Sequence, residues 1–201
     1  MSQETEEIES LPLMQRRRIL GYAIPLVNGP LILYNLYTMY THFQQGMAIG
    51  DAQFVEDLIV IISALFMSFA IPTIFPVYKS TYKLGRKGVI LSRFLKGKVE
   101  IGYKEIDRAE VFIRETPEIS EDAKEYALDS SRDLRKSGFK FKDFTNNENI
   151  IMNLFSGQKI FMISPAKPKS LLKNLKKRNK KLTAKIVELN ERGKRVQELG
   201  K

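Results

Sequence analysis

The stretch Leu58–Tyr78, LIVIISALFMSFAIPTIFPVY, contains no Asp, Glu, Lys or Arg. A second uncharged stretch, Ile19–Gly50, begins with ILGYAIPLVNGPLILYNLYTMYT. A helix needs about 20 apolar residues to cross the hydrocarbon core of a bilayer, and both stretches reach that length. Each is apolar on every face, whereas a helix on the surface of a small soluble domain has a polar side. The two stretches therefore predict a two-helix transmembrane hairpin within residues 19–78.

The charges that flank the two spans predict how the hairpin is oriented. Basic residues precede the first span and follow the second: Arg16, Arg17, Arg18, Lys79 and Lys83. The loop between the spans contains Asp51, Glu56 and Asp57 but no Lys or Arg. Because Lys and Arg beside a span stay on the cytoplasmic side, we expect a multi-pass protein of the cell membrane with both termini in the cytoplasm.

The first span has competing interpretations. Pro25, Gly29 and Pro30 lie inside it, which predicts a kink and leaves a re-entrant segment as the alternative. A cleaved signal peptide is disfavoured, because the preceding segment is long and acid-rich and the apolar run exceeds the usual length of about 7–15 residues. We therefore expect this span to stay attached.

Polar and small residues within the spans predict how the helices pack. Asn28 and Asn35 are seven residues apart, which places them on one helix face. An amide that faces lipid is costly, so this face should contact the other helix or another subunit. Ala64 and Ser68, four residues apart, provide a surface of small side chains where that contact can be close.

After Tyr78 the pattern changes to short alternating runs separated by turn residues, which predicts a β-rich cytoplasmic domain over residues 79–175. The seven predicted strands are Ser80–Leu84, Gly88–Phe94, Lys98–Tyr103, Ile106–Arg114, Gly138–Thr145, Asn149–Phe155 and Lys159–Ser164. Thr116 as N-cap and Pro117 at the first helical position predict an inserted helix over Pro117–Ser137. The prolines of ISPAKPKSLLKNL predict a helix after the last strand.

Seven antiparallel strands closed by a C-terminal helix form the layout of a PH-like barrel. The chain resembles the bacterial and archaeal PH-like domains of small membrane proteins, in which a two-helix hairpin precedes the domain. The resemblance rests on TYKLGRKGVIL (Thr81–Leu91), IGYKEIDRAEV (Ile101–Val111) and Ile160–Leu175. It implies an α+β membrane protein, of archaeal type, that acts as a tethered scaffold or adaptor without catalysis. It does not imply phosphoinositide binding, because a fold does not determine a ligand.

The C-terminal tail carries much of the positive charge. Residues 166–201 contain thirteen Lys and Arg and three Glu. The densest run comprises Lys173, Lys176, Lys177, Arg178, Lys180 and Lys181. This run is consistent with a solvated face, with attraction to anionic lipid at about 1 kcal/mol per basic residue near the surface, or with nucleic acid held through its phosphates.

The same tail contains an apparent heptad repeat. Leu175, Leu182, Leu189 and Val196 recur every seven residues. Leu172, Asn179, Ile186 and Gly193 lie three residues before them, in the companion register. The pattern predicts a long basic helix, within residues 176–201, that self-associates as a coiled coil. The alternative is a single amphipathic helix whose leucines pack on their own domain.

Several kinds of catalytic and metal site have no support in the sequence. The absence of Cys excludes disulfides, thiolate metal sites and cysteine nucleophiles, and the only imidazole is that of His42. His42 ends an apolar run, which is typical of an interfacial residue. Phosphate-loop, dinucleotide-binding, serine-hydrolase and zinc-protease motifs are not found. We expect a protein that is not an enzyme and that binds no cofactor.

Three functional hypotheses follow from these patterns. The first is a membrane adaptor that presents its cytoplasmic domain and basic helix to protein or anionic-lipid partners, with self-association. The second is an accessory subunit of a larger membrane complex, in which Asn28 and Asn35 pack on a foreign helix. The third is a membrane-tethered binder of nucleic acid or of the ribosome, which we rank lower because no aromatic residues are interleaved in the tail for base stacking.

Overall fold

The chain folds into two compact units. The computed structural model describes residues 5–114 and 133–199. Met14–Tyr78 form the first, the helical unit, and the described residues on either side of it form the second, the sheet unit. The N-terminal segment therefore folds with the residues that follow Tyr78, and the helical unit is inserted between the two in the chain.

The helical unit is an antiparallel pair of helices. Helix α1 spans Gln15–Gln44 and continues through Pro25 and Pro30, and helix α2 spans Ala52–Ile74. Both helices are long and apolar enough to cross a membrane. Many of their large apolar side chains are exposed, among them Leu26 at 75% and Phe66 at 68%. This exposure agrees with the prediction that the segments are apolar on every face.

The sheet unit begins with a four-stranded antiparallel sheet. Its strands are β1 (Glu6–Ile8), β2 (Ser80–Leu84), β3 (Gly88–Arg93) and β4 (Gly97–Gly102), paired in that order. Strand β1 comes from the N-terminal segment and pairs with β2, with Glu6 opposite Leu84 and Ile8 opposite Tyr82. A short 3-10 turn at Tyr103–Glu105 follows β4.

A six-stranded mixed sheet follows. Its strands are β5 (Arg108–Arg114), β6 (Lys140–Asp143), β7 (Ile150–Ser156), β8 (Lys159–Ile163), β9 (Thr183–Asn190) and β10 (Gly193–Leu199). Their order across the sheet is β10-β9-β5-β7-β8-β6. The β5–β9 and β6–β8 pairs are parallel, and the other pairs are antiparallel. Helix α3, Pro168–Arg178, lies between β8 and β9 in the chain.

One hydrophobic core joins the two sheets and α3. Tyr82 and Leu91 of the first sheet and Val111 and Leu154 of the second are fully buried in it. Helix α3 adds its apolar face through Leu171, Leu172 and Leu175. This spacing places three leucines on one side of an amphipathic helix, so α3 covers the core and leaves its lysines towards solvent.

A strand lies at each of the seven predicted positions, and its ends differ from the predicted ends by no more than two residues. The predicted seven-stranded antiparallel barrel is nevertheless not what the described residues form. They form ten strands in two sheets that are not closed, with two parallel pairs, because β1, β9 and β10 were not predicted. Most of the predicted inserted helix, Pro117–Ser137, lies outside the described residues. Its end is seen as a helical turn at residues 133–136, followed by Gly138 with φ of +81°.

The predicted long C-terminal helix is wrong. Leu175 belongs to α3, Leu182 follows it, Leu189 lies in β9 and Val196 in β10, so the four residues share no helix face. The helix ends because the Asn179 side chain donates to the carbonyls of Tyr103 and Ile106, both at 3.0 Å, and turns the chain away. Gly193, with φ of +125°, begins the second strand of a hairpin. Residues 183–190 and 193–199 are strands, so they cannot form the predicted coiled coil.

Candidate anion-binding surface

Basic side chains from three separate segments meet at one end of the sheet unit. Arg86 and Lys87 lie in the turn between β2 and β3, and Lys104 lies in the 3-10 turn after β4. Helix α3 and the loop after it supply the others. We define the basic surface as the six residues Arg86, Lys87, Lys104, Arg178, Lys180 and Lys181, all of which are exposed.

The β2–β3 turn is held in place by a close approach of two backbones. The Gly85 N–H donates to the carbonyl of Gly88 at 2.8 Å. A Cβ atom on Gly88 would lie 2.1 Å from the carbonyl oxygen of Ile101 in β4, so only glycine fits there. Arg86 and Lys87, between the two glycines, therefore project from a turn with a defined position.

Tyr103 joins the three segments. Its hydroxyl donates to the Gly85 carbonyl at 2.7 Å, and its backbone N–H donates to the Lys87 carbonyl at 3.1 Å. The Arg178 guanidinium lies 4.9 Å from the centroid of the tyrosine ring, and its Nη1 also donates to Gly85, at 3.3 Å. Burial raises the pKa of Tyr103 although the Arg178 charge opposes this, so the phenol remains a hydrogen-bond donor.

Asn179 positions the lysines that follow α3. Besides its two bonds to the carbonyls of Tyr103 and Ile106, its Oδ1 accepts from the Lys181 N–H at 3.0 Å. The Leu182 N–H donates to the Asn179 carbonyl at 3.1 Å. The chain therefore folds back at this residue, which brings Lys180 and Lys181 beside the 3-10 turn.

An open cleft of about 470 Å³ lies between these segments. Its lining residues are Lys104, Asp107, Arg178, Asn179, Lys180 and Lys181. Four cationic side chains and one carboxylate give it a net positive charge. Glu6 and Glu100 also lie near enough to raise the pKa of Tyr103, so the surrounding field is mixed and the excess of positive charge is local to the cleft. Lys and Arg in such an arrangement can bind carboxylate or phosphate groups.

The structure divides the predicted anion-binding residues into two groups. Arg178, Lys180 and Lys181 line the cleft. Lys173 and Lys177 lie on the exposed face of α3, and Lys176 is half-buried. The sequence patterns predicted no role in anion binding for Lys104, Arg86 or Lys87. The run Gly85–Gly88 holds two adjacent basic residues, but nothing local to it indicates that Arg178 is its neighbour.

The predicted membrane-flanking residues differ in their placement. Arg16, Arg17 and Arg18 fall in the first turn of α1, and Lys79 is exposed just before β2. Lys83 is the fourth residue of β2, where it is exposed and pairs with Glu7 of β1 in the sheet register. Lys83 is therefore a strand residue of the sheet unit.

The predicted helix-packing residues meet within the hairpin. The Asn28 Nδ2 donates to Ser68 Oγ at 2.8 Å and to the Ala64 carbonyl at 3.2 Å. Ala64 is 4% exposed, which allows the two backbones to approach. Asn35 is also buried, and its Nδ2 donates to Leu31 of its own helix at 2.8 Å. Asn28 thus has its hydrogen-bond partners on α2, whereas Asn35 bonds its own helix.

A second polar contact joins the helices near their connecting loop. Thr38 Oγ1 donates to Asp57 Oδ1 at 2.9 Å, and His42 Nδ1 lies 3.0 Å from Asp57 Oδ2. The carboxylate of Asp57 is therefore shared by two side chains of α1. His42 is engaged in a contact between the two helices.

Hydrogen bonds within the sheet unit hold the chain at the two places where it connects to the helical unit. The Ser80 N–H and carbonyl are bonded to the side chain of Asn146, at 2.7 and 2.9 Å. The Leu11 N–H donates to the Ser164 carbonyl at 2.9 Å, and Ser164 Oγ donates to the Asn147 carbonyl at 2.6 Å. Both crossings thus leave the sheet unit at the Ser80 end of β2. The basic surface lies beyond Leu84, at the other end of this strand.

In residues 5–114 and 133–199, no group of three or more His, Cys, Asp or Glu is arranged to hold a metal ion. No protein-family model matches the chain, and no curated protein and no solved structure matches it either. Any functional assignment must therefore rest on the contacts described above.

Proposed function

We propose that the protein is a non-enzymatic adaptor, anchored in the cell membrane by its two helices, with both termini in the cytoplasm. In this proposal its sheet unit is a cytoplasmic domain of PH-like type. The basic surface binds an acidic partner, and we favour an acidic segment of a protein. The single observation that carries the proposal is that Tyr103 bonds the turn that contains Arg86 and Lys87 and contacts Arg178. It does so beside the cleft lined by Lys104, Arg178, Lys180 and Lys181.

The membrane anchor is supported by what the helices expose. Large apolar side chains cover the outer surfaces of α1 and α2, and water is a poor solvent for such a surface. The polar side chains inside the hairpin are turned towards one another, as with Asn28 and Ser68. The three arginines at the start of α1 and the acidic loop support the proposed orientation.

The basic surface lies at the end of β2 opposite to the point at which the chain enters the sheet unit. The chain enters the sheet unit at Ser80, whereas the β2–β3 turn follows Leu84. Four steps along a strand extend roughly 13 Å. The basic surface and the point of chain entry therefore lie at opposite ends of β2.

The accessory-subunit hypothesis loses its main argument. It required an unsatisfied amide on α1 that would seek a foreign helix. Asn28 is bonded to Ser68 and Ala64, and Asn35 is bonded to Leu31. With these side chains engaged in the hairpin, the adaptor is the simpler proposal.

The proposal is tested with the full chain in nanodiscs of neutral lipid and a fluorescent polyglutamate peptide as the acidic probe. The variant combines Arg86→Gln, Lys104→Gln and Lys181→Gln, which remove three charges without breaking the contacts of Tyr103. A matched control neutralises Lys136, Lys140 and Lys159, three exposed lysines elsewhere on the sheet unit. If each exposed ion pair contributes about 0.5 kcal/mol, the Kd of the variant should rise by about tenfold.

The control should bind as the wild type does within about twofold, because its total charge equals that of the variant while its lysines lie away from the cleft. Equal weakening of the two proteins would show that the peptide responds only to net charge, and the proposal would fail. A single-stranded RNA in the same assay serves as the nucleic-acid probe. Tighter binding of the RNA than of the peptide, lost in the variant alone, would replace the acidic-protein assignment.

A further inference from the structure

The turn between β3 and β4 carries two neighbouring apolar side chains on the surface. Phe94 is 66% exposed and Leu95 is 39% exposed. Among the described residues of the sheet unit, the only other large apolar side chain with comparable exposure is Val196, at 43%. A monomeric soluble domain often has isolated apolar residues on its surface, but two adjacent ones at the tip of a hairpin form a small protruding patch.

The backbone of this turn holds Leu95 in a conformation that is unfavourable for leucine. Leu95 has φ of 63°, and it is the only described residue other than glycine with positive φ. The Lys96 N–H donates to the Arg93 carbonyl at 3.2 Å, so Leu95 occupies the third position of a β-turn. Glycine or asparagine is usual at that position when φ is positive. Leucine here is disfavoured both by the turn and by water, which indicates a role for the side chain.

The base of the tip is rigidly attached to the domain. Lys96 Nζ donates to the Asp143 carbonyl at 2.7 Å and lies 5.0 Å from the centroid of the Phe144 ring. Arg93 is 3% exposed, and its guanidinium lies 5.8 Å from the same ring. Burial of the ammonium group, with Arg93 nearby, lowers the pKa of Lys96 to about 8. The apolar side chains are therefore presented from a fixed support.

The tip lies at the end of the sheet unit where the chain enters it. Arg93, the residue before the turn, pairs with Ser80 in the β2–β3 register, and Gly97, after the turn, pairs with Arg93. Ser80 is only two residues beyond Tyr78, the last residue of the uncharged stretch. The tip is consequently next to the residues that connect the sheet unit to the proposed membrane span, and far from the basic surface along the strand.

We propose that the tip of Phe94 and Leu95 inserts into the interface of the bilayer that anchors the chain. The inference rests on the membrane anchor of the proposed function. The acyl-chain boundary accepts the aromatic and aliphatic side chains, and the exposed Lys98 beside them meets anionic headgroups. Docking of this tip turns the opposite end of β2, and with it the basic surface, away from the lipid.

The chain contains no Trp, so one introduced tryptophan reports its own surroundings. Three full-chain variants are placed in nanodiscs of phosphatidylcholine and phosphatidylglycerol, with or without brominated acyl chains. Phe94→Trp reports on the tip. Val196→Trp replaces the other exposed apolar side chain and is the matched control, and Phe66→Trp, on α2, reports on the anchor.

We expect blue-shifted emission and strong bromolipid quenching for Phe94→Trp and Phe66→Trp, with neither effect for Val196→Trp. Quenching of Phe66→Trp without quenching of Phe94→Trp would overturn the inference and leave the anchor intact. Absence of quenching at both positions would overturn the anchor and the inference together. A blue shift at Phe94→Trp without quenching would mean that protein covers the tip, which also overturns the proposal. Addition of Lys98→Gln should weaken quenching of Phe94→Trp in anionic nanodiscs, and unchanged quenching would contradict the contact of Lys98 with headgroups.

Discussion

Ser80 and Asn146 are joined by two hydrogen bonds, from the Ser80 N–H to Asn146 Oδ1 at 2.7 Å and from Asn146 Nδ2 to the Ser80 carbonyl at 2.9 Å. The asparagine side chain thus acts as a substitute strand neighbour for the first residue of β2. Both residues are fully buried, at 0% exposure. The contact secures the chain at the place where it comes from the hairpin.

Asn146→Ala should destabilise the sheet unit by about 3 kcal/mol, because it leaves the buried N–H and carbonyl of Ser80 without partners. Urea denaturation of the full chain in detergent micelles, followed by tyrosine fluorescence, measures the change. Asn149→Ala is the control, since Asn149 is exposed, and we expect a change within about 0.5 kcal/mol. Equal effects of the two substitutions would contradict the role given to Asn146.

The Asn28–Ser68 contact should appear as a coupling energy between the two helices. In a double-mutant cycle with Asn28→Val and Ser68→Ala, we expect a coupling of about 0.6 kcal/mol, typical of hydrogen bonds between membrane helices. Unfolding of the hairpin in mixed micelles provides the free energies. Thr73→Ala is the control, because Thr73 is exposed and bonds only its own helix at Phe69. A coupling with Thr73 as large as that with Ser68 would exclude a direct contact.

Leu95→Asn should relieve the strain of the β3–β4 turn. Asparagine tolerates positive φ, whereas alanine does not, so the Asn variant should be more stable than a Leu95→Ala variant by about 1 kcal/mol. Both variants lose the leucine side chain, and their difference therefore isolates the backbone. Denaturation in detergent micelles gives the stabilities. Identical midpoints would mean that residue 95 is not held at positive φ.

Lys96 should make the stability depend on pH in mildly alkaline solution. Its pKa is lowered by burial, by Arg93 and by Lys142 against the opposing Asp143, from 10.5 to about 8. Below pH 8 the folded state carries a penalised charge, and above pH 8 it loses this proton while the unfolded state keeps its own. The unfolded state then binds more protons, so stability should rise with pH between about 8 and 10.

This rise should be measured by urea denaturation up to about pH 9.5, because Tyr82 and Tyr103, whose pKa values are raised, oppose it once unfolded tyrosines ionise near pH 10. Lys96→Met should abolish the increase. Lys98→Met, an exposed neighbour in β4, is the control and should retain it. A flat profile in the wild-type protein would contradict the burial of the Lys96 amine.

Termination after Leu182 should abolish folding of the sheet unit. The deletion removes β9, whose Ala184, Ile186, Val187 and Leu189 are buried, and it uncovers the edge of β5. An exposed edge next to a broken core favours aggregation. Termination after Asn190 is the control, since it removes only β10, whose described side chains are mostly exposed. Size-exclusion chromatography in detergent distinguishes the two. A monodisperse protein lacking β9 and β10 would show that the sheet unit folds without these two strands.

The positions of most strands could be predicted because alternation and turn residues are local properties. The run at residues 80–84 alternates between buried and exposed side chains, and the glycines that follow mark its end. β1 was missed because its three residues are too few for a pattern, and it forms only because β2 offers an edge. β9 was assigned to a helix because leucines seven apart fit a heptad, and such spacing occurs in strands too.

The candidate site shows the same division. The basic run from Lys173 to Lys181 was visible in the sequence, but Arg178 meets Gly85 and Tyr103 across separations of 93 and 75 positions. Lys104 is the only basic residue of its 3-10 turn, so nothing in the local sequence marks it as part of a basic surface. The helix-packing residues could be predicted in part, because a polar group in an apolar helix must find a partner, and Ser68 is one of the small polar residues of the other helix.

The sequence by itself determined that two segments are apolar enough to cross a bilayer, that a β-rich unit follows them, and where seven of its strands lie. Each of these depends on the composition or the period of a short run of residues. Only the tertiary structure decided the parallel pairing of β9 with β5, the return of the N-terminal segment to β2, and the assembly of the basic surface and the apolar tip. These arise from contacts between distant segments, whose free energy depends on what covers each edge and each apolar face, and no local run of residues encodes that information.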